Sequence, residues 1–113
     1  MMGIKLTGVK AFRDVLEKRS RAQELVRPVV KYHGSQLQQN AQRYAPVDTG
    51  NLKRSIRLEI KDSGMTAEIA ATAEYAPYVE YGTRFMLAQP YMQPAFLRQK
   101  DKFISDLKKV LNQ

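Results

Sequence analysis

Three groups of residues in this chain have types and spacings that can do chemistry. Asp48-Thr49-Gly50 sets a carboxylate and a hydroxyl beside a glycine that permits a tight turn. A carboxylate held that way activates water when a second carboxylate shares its proton. The same residues also make a structural turn: Asp48 and Thr49 are good caps for a short helical turn near 49–54, which carries Leu52. Tyr75, Tyr78 and Tyr81 recur every third residue and would share one face of a short helix. Tyrosine suits a subunit contact because its ring is apolar and its hydroxyl can still be paired; the plainer alternative is that the three rings cover the chain's own core. Finally, residues 84–92 hold Arg84, Phe85, Met86, Leu87, Tyr91 and Met92, too many apolar side chains for a solvated loop. Aromatic residues, Met and Arg are enriched at interfaces, so this segment is expected to reach a neighbouring subunit; the plainer alternative is that it folds back on the chain's own core.

Other chemistries lack their raw materials. The 113 residues include no Cys and one His, which excludes disulfide staples, thiolate zinc sites and Cys nucleophiles. The lone histidine, His33, sits on a helical apolar stripe and reads as a packing residue with one satisfied nitrogen. A hydrophobic fraction of 43% is ordinary for a globular chain, and the length allows one domain with one modest core. No apolar run approaches the roughly 20 residues of a membrane span, and Met1-Met2-Gly3-Ile4-Lys5 has no apolar h-region. The expectation is a small, soluble, cytoplasmically made domain. The net charge of +8 raises nucleic acid as a partner. That charge is uneven: residues 1–47 and 93–113 are basic, while 62–92 hold one Arg against four acids. Basic ends around an acidic middle suit head-to-tail self-association as well as phosphate binding.

The elements that must position these groups follow from hydrophobic period. Gly3-Ile4-Lys5-Leu6-Thr7 alternates and predicts a first strand. Val9, Phe12, Val15 and Leu16 change to a helical period, and Leu25, Val26, Val29, Val30, Leu37, Ala41 and Tyr44 continue it. Pro28 interrupts, so two helices are expected, about 9–21 and 26–44, with a bend or short break near Pro28 and a stop at Ala45-Pro46. Ile56, Leu58 and Ile60 alternate, Asp62-Ser63-Gly64 is turn chemistry, and Met65, Ala67, Ile69 and Ala71 alternate again. This predicts an antiparallel hairpin over about 55–71 with one buried face. Pro77 and Gly82 bracket a short helix. Pro94 opens a last helix with Phe96, Leu97, Phe103, Ile104, Leu107, Val110 and Leu111 inward, and Gln99-Lys100-Asp101-Lys102 facing solvent. The fold class expected is α+β: a small antiparallel sheet, the hairpin plus the N-terminal strand, packed by a long helical N-terminal region and a C-terminal helix.

Two blocks occur together in one order: Ala45-Pro46-Val47-Asp48-Thr49-Gly50-Asn51-Leu52-Lys53-Arg54-Ser55-Ile56, then Tyr75-Ala76-Pro77-Tyr78-Val79-Glu80-Tyr81-Gly82-Thr83. Gln89-Pro90-Tyr91-Met92-Gln93-Pro94-Ala95-Phe96 then leads into the terminal helix. In this combination the chain resembles the minor tail component, tail-completion or head–tail connector family of long-tailed bacteriophages and prophages, from about Ile4 to the C-terminus. The resemblance implies a structural virion protein of the neck or tail end, made in the bacterial host. It implies a homo-oligomeric ring, typically hexameric, contacting neighbouring connector, tail-terminator or tail-tube proteins. DNA would only pass through the channel. No enzyme activity, cofactor, metal or membrane is implied.

Two other readings compete. Asp-Thr-Gly is the active-site triplet of aspartic peptidases, but that fold is nearly all β, whereas Asp48 follows a long helical region and Asn51 stands where that family has Ala or Ser. A non-specific nucleic-acid-binding protein would account for the charge. However, no zinc finger, RNP-type strand or recognition helix is visible, and Lys18-Arg19-Ser20-Arg21 is a short cluster.

Overall fold

The computed structural model describes residues 2–7, 20–46 and 50–111. Its elements are strand β1 (Met2–Thr7), helix α1 (Ser20–Tyr44), the short helix α2 (Asn51–Ser55), strand β2 (Ile56–Lys61), a tight connector at Asp62–Gly64, strand β3 (Thr66–Ala71), the short helix α3 (Ala76–Tyr81) and helix α4 (Met92–Leu111). The fold is α+β, in two layers.

The sheet has the order β1-β3-β2, antiparallel throughout. Ile4, Ile69 and Leu58 form one rung, and Leu6, Ala67 and Ile60 the next. The period-2 pattern therefore places one apolar face of three strands against the helices. Met65, Ala67, Ile69 and Ala71 are buried as expected, but Ile60, at the far end of edge strand β2, stays 41% exposed. On the opposite face Glu68 takes Lys5 at 3.2 Å and Lys61 at 3.4 Å. The Lys5 hydrogen bond leads in holding the Glu68 carboxyl below its ordinary range, and Glu68 in turn raises Lys61. The hairpin closes through Asp62 and Ser63 at φ 55° and 56°, conformations that short polar residues tolerate, and Thr66 Oγ1 donates to Asp62 Oδ2 at 2.7 Å.

Helix α1 crosses the sheet at Gly34. A Cβ there would lie 2.6 Å from Ala67 Cβ and 3.2 Å from Leu58 Cδ1, so only glycine lets the layers meet this closely. Val26, Val30, Leu37 and Ala41 of α1 are buried around the crossing. The chain does not divide into two helices at Pro28: α1 runs unbroken from Ser20 to Tyr44 with Pro28 inside it, which excludes the short break. Proline costs a helix interior about 3 kcal/mol. Burial of Val26 and Val30 on either side offsets that cost, since each such side chain contributes about 1.5–3 kcal/mol. The pyrrolidine ring itself faces solvent. Most of the expected helix over 9–21 lies outside the described residues.

Helices α1 and α4 pack antiparallel, as their cross-links show. His33 pairs with Asp106, Asn40 with Gln99, and Tyr44 with Arg98. Between them runs a buried polar relay. The Asn40 amide donates to Gln99 Oε1 at 3.3 Å, the Gln99 amide meets His33 Nδ1 at 2.6 Å, and His33 Nε2 meets Asp106 Oδ2 at 2.6 Å. A neutral imidazole carrying its proton on Nε2 satisfies every bond in that sequence. Both nitrogens of His33 are thus engaged, not one. Gln99, expected to face solvent, is 3% exposed because α4 presents it to His33 and Asn40. Leu97, expected inward, is 56% exposed.

Candidate assembly surface

The residues singled out by sequence fall into three places. Asp48 and Thr49 lie outside the described residues, so the capping role expected of them is a proposal. Gly50 takes a left-handed φ of 74° ahead of α2, and its carbonyl accepts the Arg54 amide at 3.1 Å. Leu52, 3% exposed, pins that one-turn helix to the core. The chain then turns directly from α2 into β2, so this turn switches it from helix to strand.

Tyr75, Tyr78 and Tyr81 are 40%, 58% and 71% exposed, which places them on the outer surface of α3. Its inner surface is Ala76, Val79 and Glu80. After α3 the chain leaves the helix at Gly82, whose φ of 80° is left-handed. A Cβ at Gly82 would lie 2.8 Å from Ala88 N and 3.0 Å from Met86 O. Residues 83–86 then close into a turn, with the Thr83 amide donating to Met86 O at 2.9 Å and the Met86 amide to Thr83 O at 3.3 Å. The apex of the turn is Arg84-Phe85. The guanidinium sits 5.6 Å from the centre of the Phe85 ring, within cation–π range. Phe85 is 90% exposed and Leu87 88%, with Met86 less so. The Gln89 amide donates to Val79 O at 2.8 Å and ties the far end of the strap back to α3.

Tyr91 and Met92 correct the expectation that the whole segment faces a neighbour. Both have no exposed area and belong to this chain's own core. The apolar run divides at Pro90: its first part projects outward, and its last two residues anchor α4.

That anchor depends on a residue the sequence reading passed over. Glu80, 3% exposed, aims its carboxylate at the start of α4. It accepts the amides of Tyr91 at 3.0 Å, Met92 at 2.8 Å and Gln93 at 3.1 Å. These are the orphan donors of a helix N-terminus, and an anion there also meets the positive end of the helix dipole. The only sequence signal for this is spacing: Ala76, Val79 and Glu80 fall at i, i+3 and i+4, which puts an acid on the buried face. The Tyr91 hydroxyl, buried with its ring, has no hydrogen-bond partner among the described residues. Burial, reinforced by the Glu80 carboxylate, pushes its pKa up to about 12.

Among the described residues no cluster of His, Asp and Glu has the spacing of a metal site, and no helix is long and apolar enough to cross a membrane. What the geometry offers is an outward-facing tyrosine helix and a braced, solvent-exposed apolar turn. A family model described as "Bacteriophage HK97-gp10, putative tail-component" matches residues 10–82. The chain belongs to this HK97-gp10-like family. The match takes in α1, α2, the β2–β3 hairpin and the tyrosine helix, while the Arg84-Phe85 turn and α4 follow it in the chain. No curated protein and no solved structure matches the chain. As a member of a family of bacteriophage tail components, the protein is assigned a structural role in the tail, among other phage structural proteins in the virion.

Proposed function

We propose that the protein forms a ring at the phage neck or tail end that joins head to tail or completes the tail during assembly. The observation that carries this beyond the family assignment is the strap after α3. Phe85 and Leu87 stand almost fully in solvent on a segment held rigid by hydrogen bonds at both ends. A monomer gains nothing from such a display; an assembling subunit gains a contact that excludes water. The tyrosine face of α3 adjoins it and enlarges the surface. In this reading Asp48, Thr49, Gly50 and Leu52 have a structural part as turn residues, and the protein is neither an enzyme nor a cofactor carrier. The test is electron microscopy of particles from a strain lacking the gene. Filled heads with separate tails, or tails with faulty ends, are expected; normally joined particles overturn the reading.

One observation favours a second reading. The ranges of α1 and α4 hold nine Lys and Arg against three acids, so the helical layer carries most of the net charge. Non-specific contact with nucleic acid would use that layer. Tight binding to free duplex at physiological salt, weakening steeply as salt rises, would favour this reading over a purely protein-facing role.

A further inference from the structure

The Arg84-Phe85 turn needs a receptor, and α1 carries a second apolar surface that the described residues leave partly exposed. On α1, Leu25, Pro28, Val29 and Tyr32 stand at i, i+3, i+4 and i+7, a complete apolar stripe. It is not the core stripe: Val26 and Val30 are buried, whereas Leu25 is 40% and Tyr32 58% exposed. Pro28, Val29, Tyr32 and Val110 line a groove of about 300 Å³ between α1 and α4, together with His33, Lys109 and the Asp106 carboxylate, which pairs with His33 and keeps 42% of its side chain exposed. A turn whose tip is an aromatic ring with a guanidinium beside it complements such a groove. The ring replaces water on the apolar walls, and the cation meets the carboxylate.

The two surfaces cannot meet within one chain. The turn follows α3, whose Glu80 holds the N-terminal end of α4 at Tyr91–Gln93, and the groove lies at Asp106–Val110. At 1.5 Å per residue those positions are roughly 20–25 Å apart along the helix. Knob and groove sit toward opposite ends of the molecule, the requirement for a head-to-tail contact that closes into a ring when the rotation between copies permits.

We propose that the Arg84-Phe85 turn of one copy seats in the α1–α4 groove of the next copy, with Phe85 against Val29 and Val110 and Arg84 beside Asp106. This rests on the ring reading above and adds which surfaces meet. The absence of native cysteine makes a disulfide test clean. Chains carrying Phe85→Cys, Val29→Cys or both are supplied to a strain lacking the gene, and the purified particles are oxidised and run on a non-reducing gel. The double variant is expected to give a ladder of dimers and higher oligomers, and each single variant none. Particles assembled with all three variants but without a ladder overturn the knob-in-groove contact and leave the ring reading standing. Dimers from Phe85→Cys alone overturn it in favour of a symmetric knob-to-knob contact. A fast-running monomer with an internal disulfide overturns it too. Failure of the unaltered chain to enter particles overturns the ring reading itself. In the double variant, Arg84→Glu is expected to lower the ladder yield about threefold at low salt and less at high salt, as for an exposed charge pair; an unchanged yield would remove Asp106 from the contact.

Discussion

Glu80 and Tyr91 are neighbours with opposite hydrogen-bonding fates. The Glu80 carboxylate receives three backbone amides, whereas the buried Tyr91 hydroxyl has no hydrogen-bond partner among the described residues. Removing the first should be costly. Glu80→Ala leaves the start of α4 without its anion and is expected to lose about 3 kcal/mol, with Glu80→Gln losing less because one acceptor oxygen survives. Thermal unfolding of both variants measures the difference. Removing the second should be free: Tyr91→Phe keeps the buried ring, discards the unpaired hydroxyl, and is expected to be neutral or stabilising by up to about 1 kcal/mol. It should also change the alkaline limb of stability. The folded-state pKa of Tyr91, about 12, lies above its ordinary 10.0, so the unfolded chain gives up this proton first as pH rises. The contribution is intact below pH 10.0 and is lost progressively towards about 12. Comparing melting temperatures of the parent and Tyr91→Phe across that window isolates it from the other alkaline groups. Identical slopes would refute the shift.

At the scale of elements, the decisive contact is the crossing of α1 over β3 at Gly34. Helix propensity alone predicts that Gly34→Ala stabilises α1 by about 1 kcal/mol. The added methyl would stand 2.6 Å from Ala67 Cβ, and both partners are backbone-proximal atoms with no rotamer to yield. Separating the layers costs about 1–3 kcal/mol and disturbs Leu58 as well. Net destabilisation is therefore expected, read as a lower denaturant midpoint with an unchanged slope. The same layer explains why α1 continues through Pro28: a helix clamped on both sides by buried side chains tolerates a missing amide that would end a free helix.

For the whole molecule, stability and assembly should separate. Phe85 and Leu87 have almost no contact area to lose in the isolated chain, so Phe85→Ser with Leu87→Ser should leave stability within about 0.5 kcal/mol of the parent. The same pair of changes should abolish incorporation into particles. A destabilised variant, or one that assembles normally, would contradict the surface assignment. The Tyr75, Tyr78 and Tyr81 face is expected to show a graded version of this behaviour, weaker because each ring keeps part of its surface against α3.

Periodicity sufficed for the three strands, their antiparallel hairpin, the last helix and the α+β class, because alternation and 3.6-residue recurrence are imposed by which face meets the core. The Ala45-to-Ile56 and Tyr75-to-Thr83 blocks sufficed for the family, since turn and cap residues leave a local signature. Three other features depended on contacts between distant segments. Gln99 reads as polar surface until α4 lies against His33 and Asn40. Leu25 reads as core until Val26 and Val30 are seen to be buried instead. Tyr91 and Met92 read as one apolar patch with Phe85 and Leu87 until Glu80 captures the amides of residues 91–93 and draws the end of the strap inward. A one-dimensional pattern states how much apolar surface a segment has, but which part of it finds a partner in the same chain is set by tertiary packing, and the remainder is what this subunit has left to offer another.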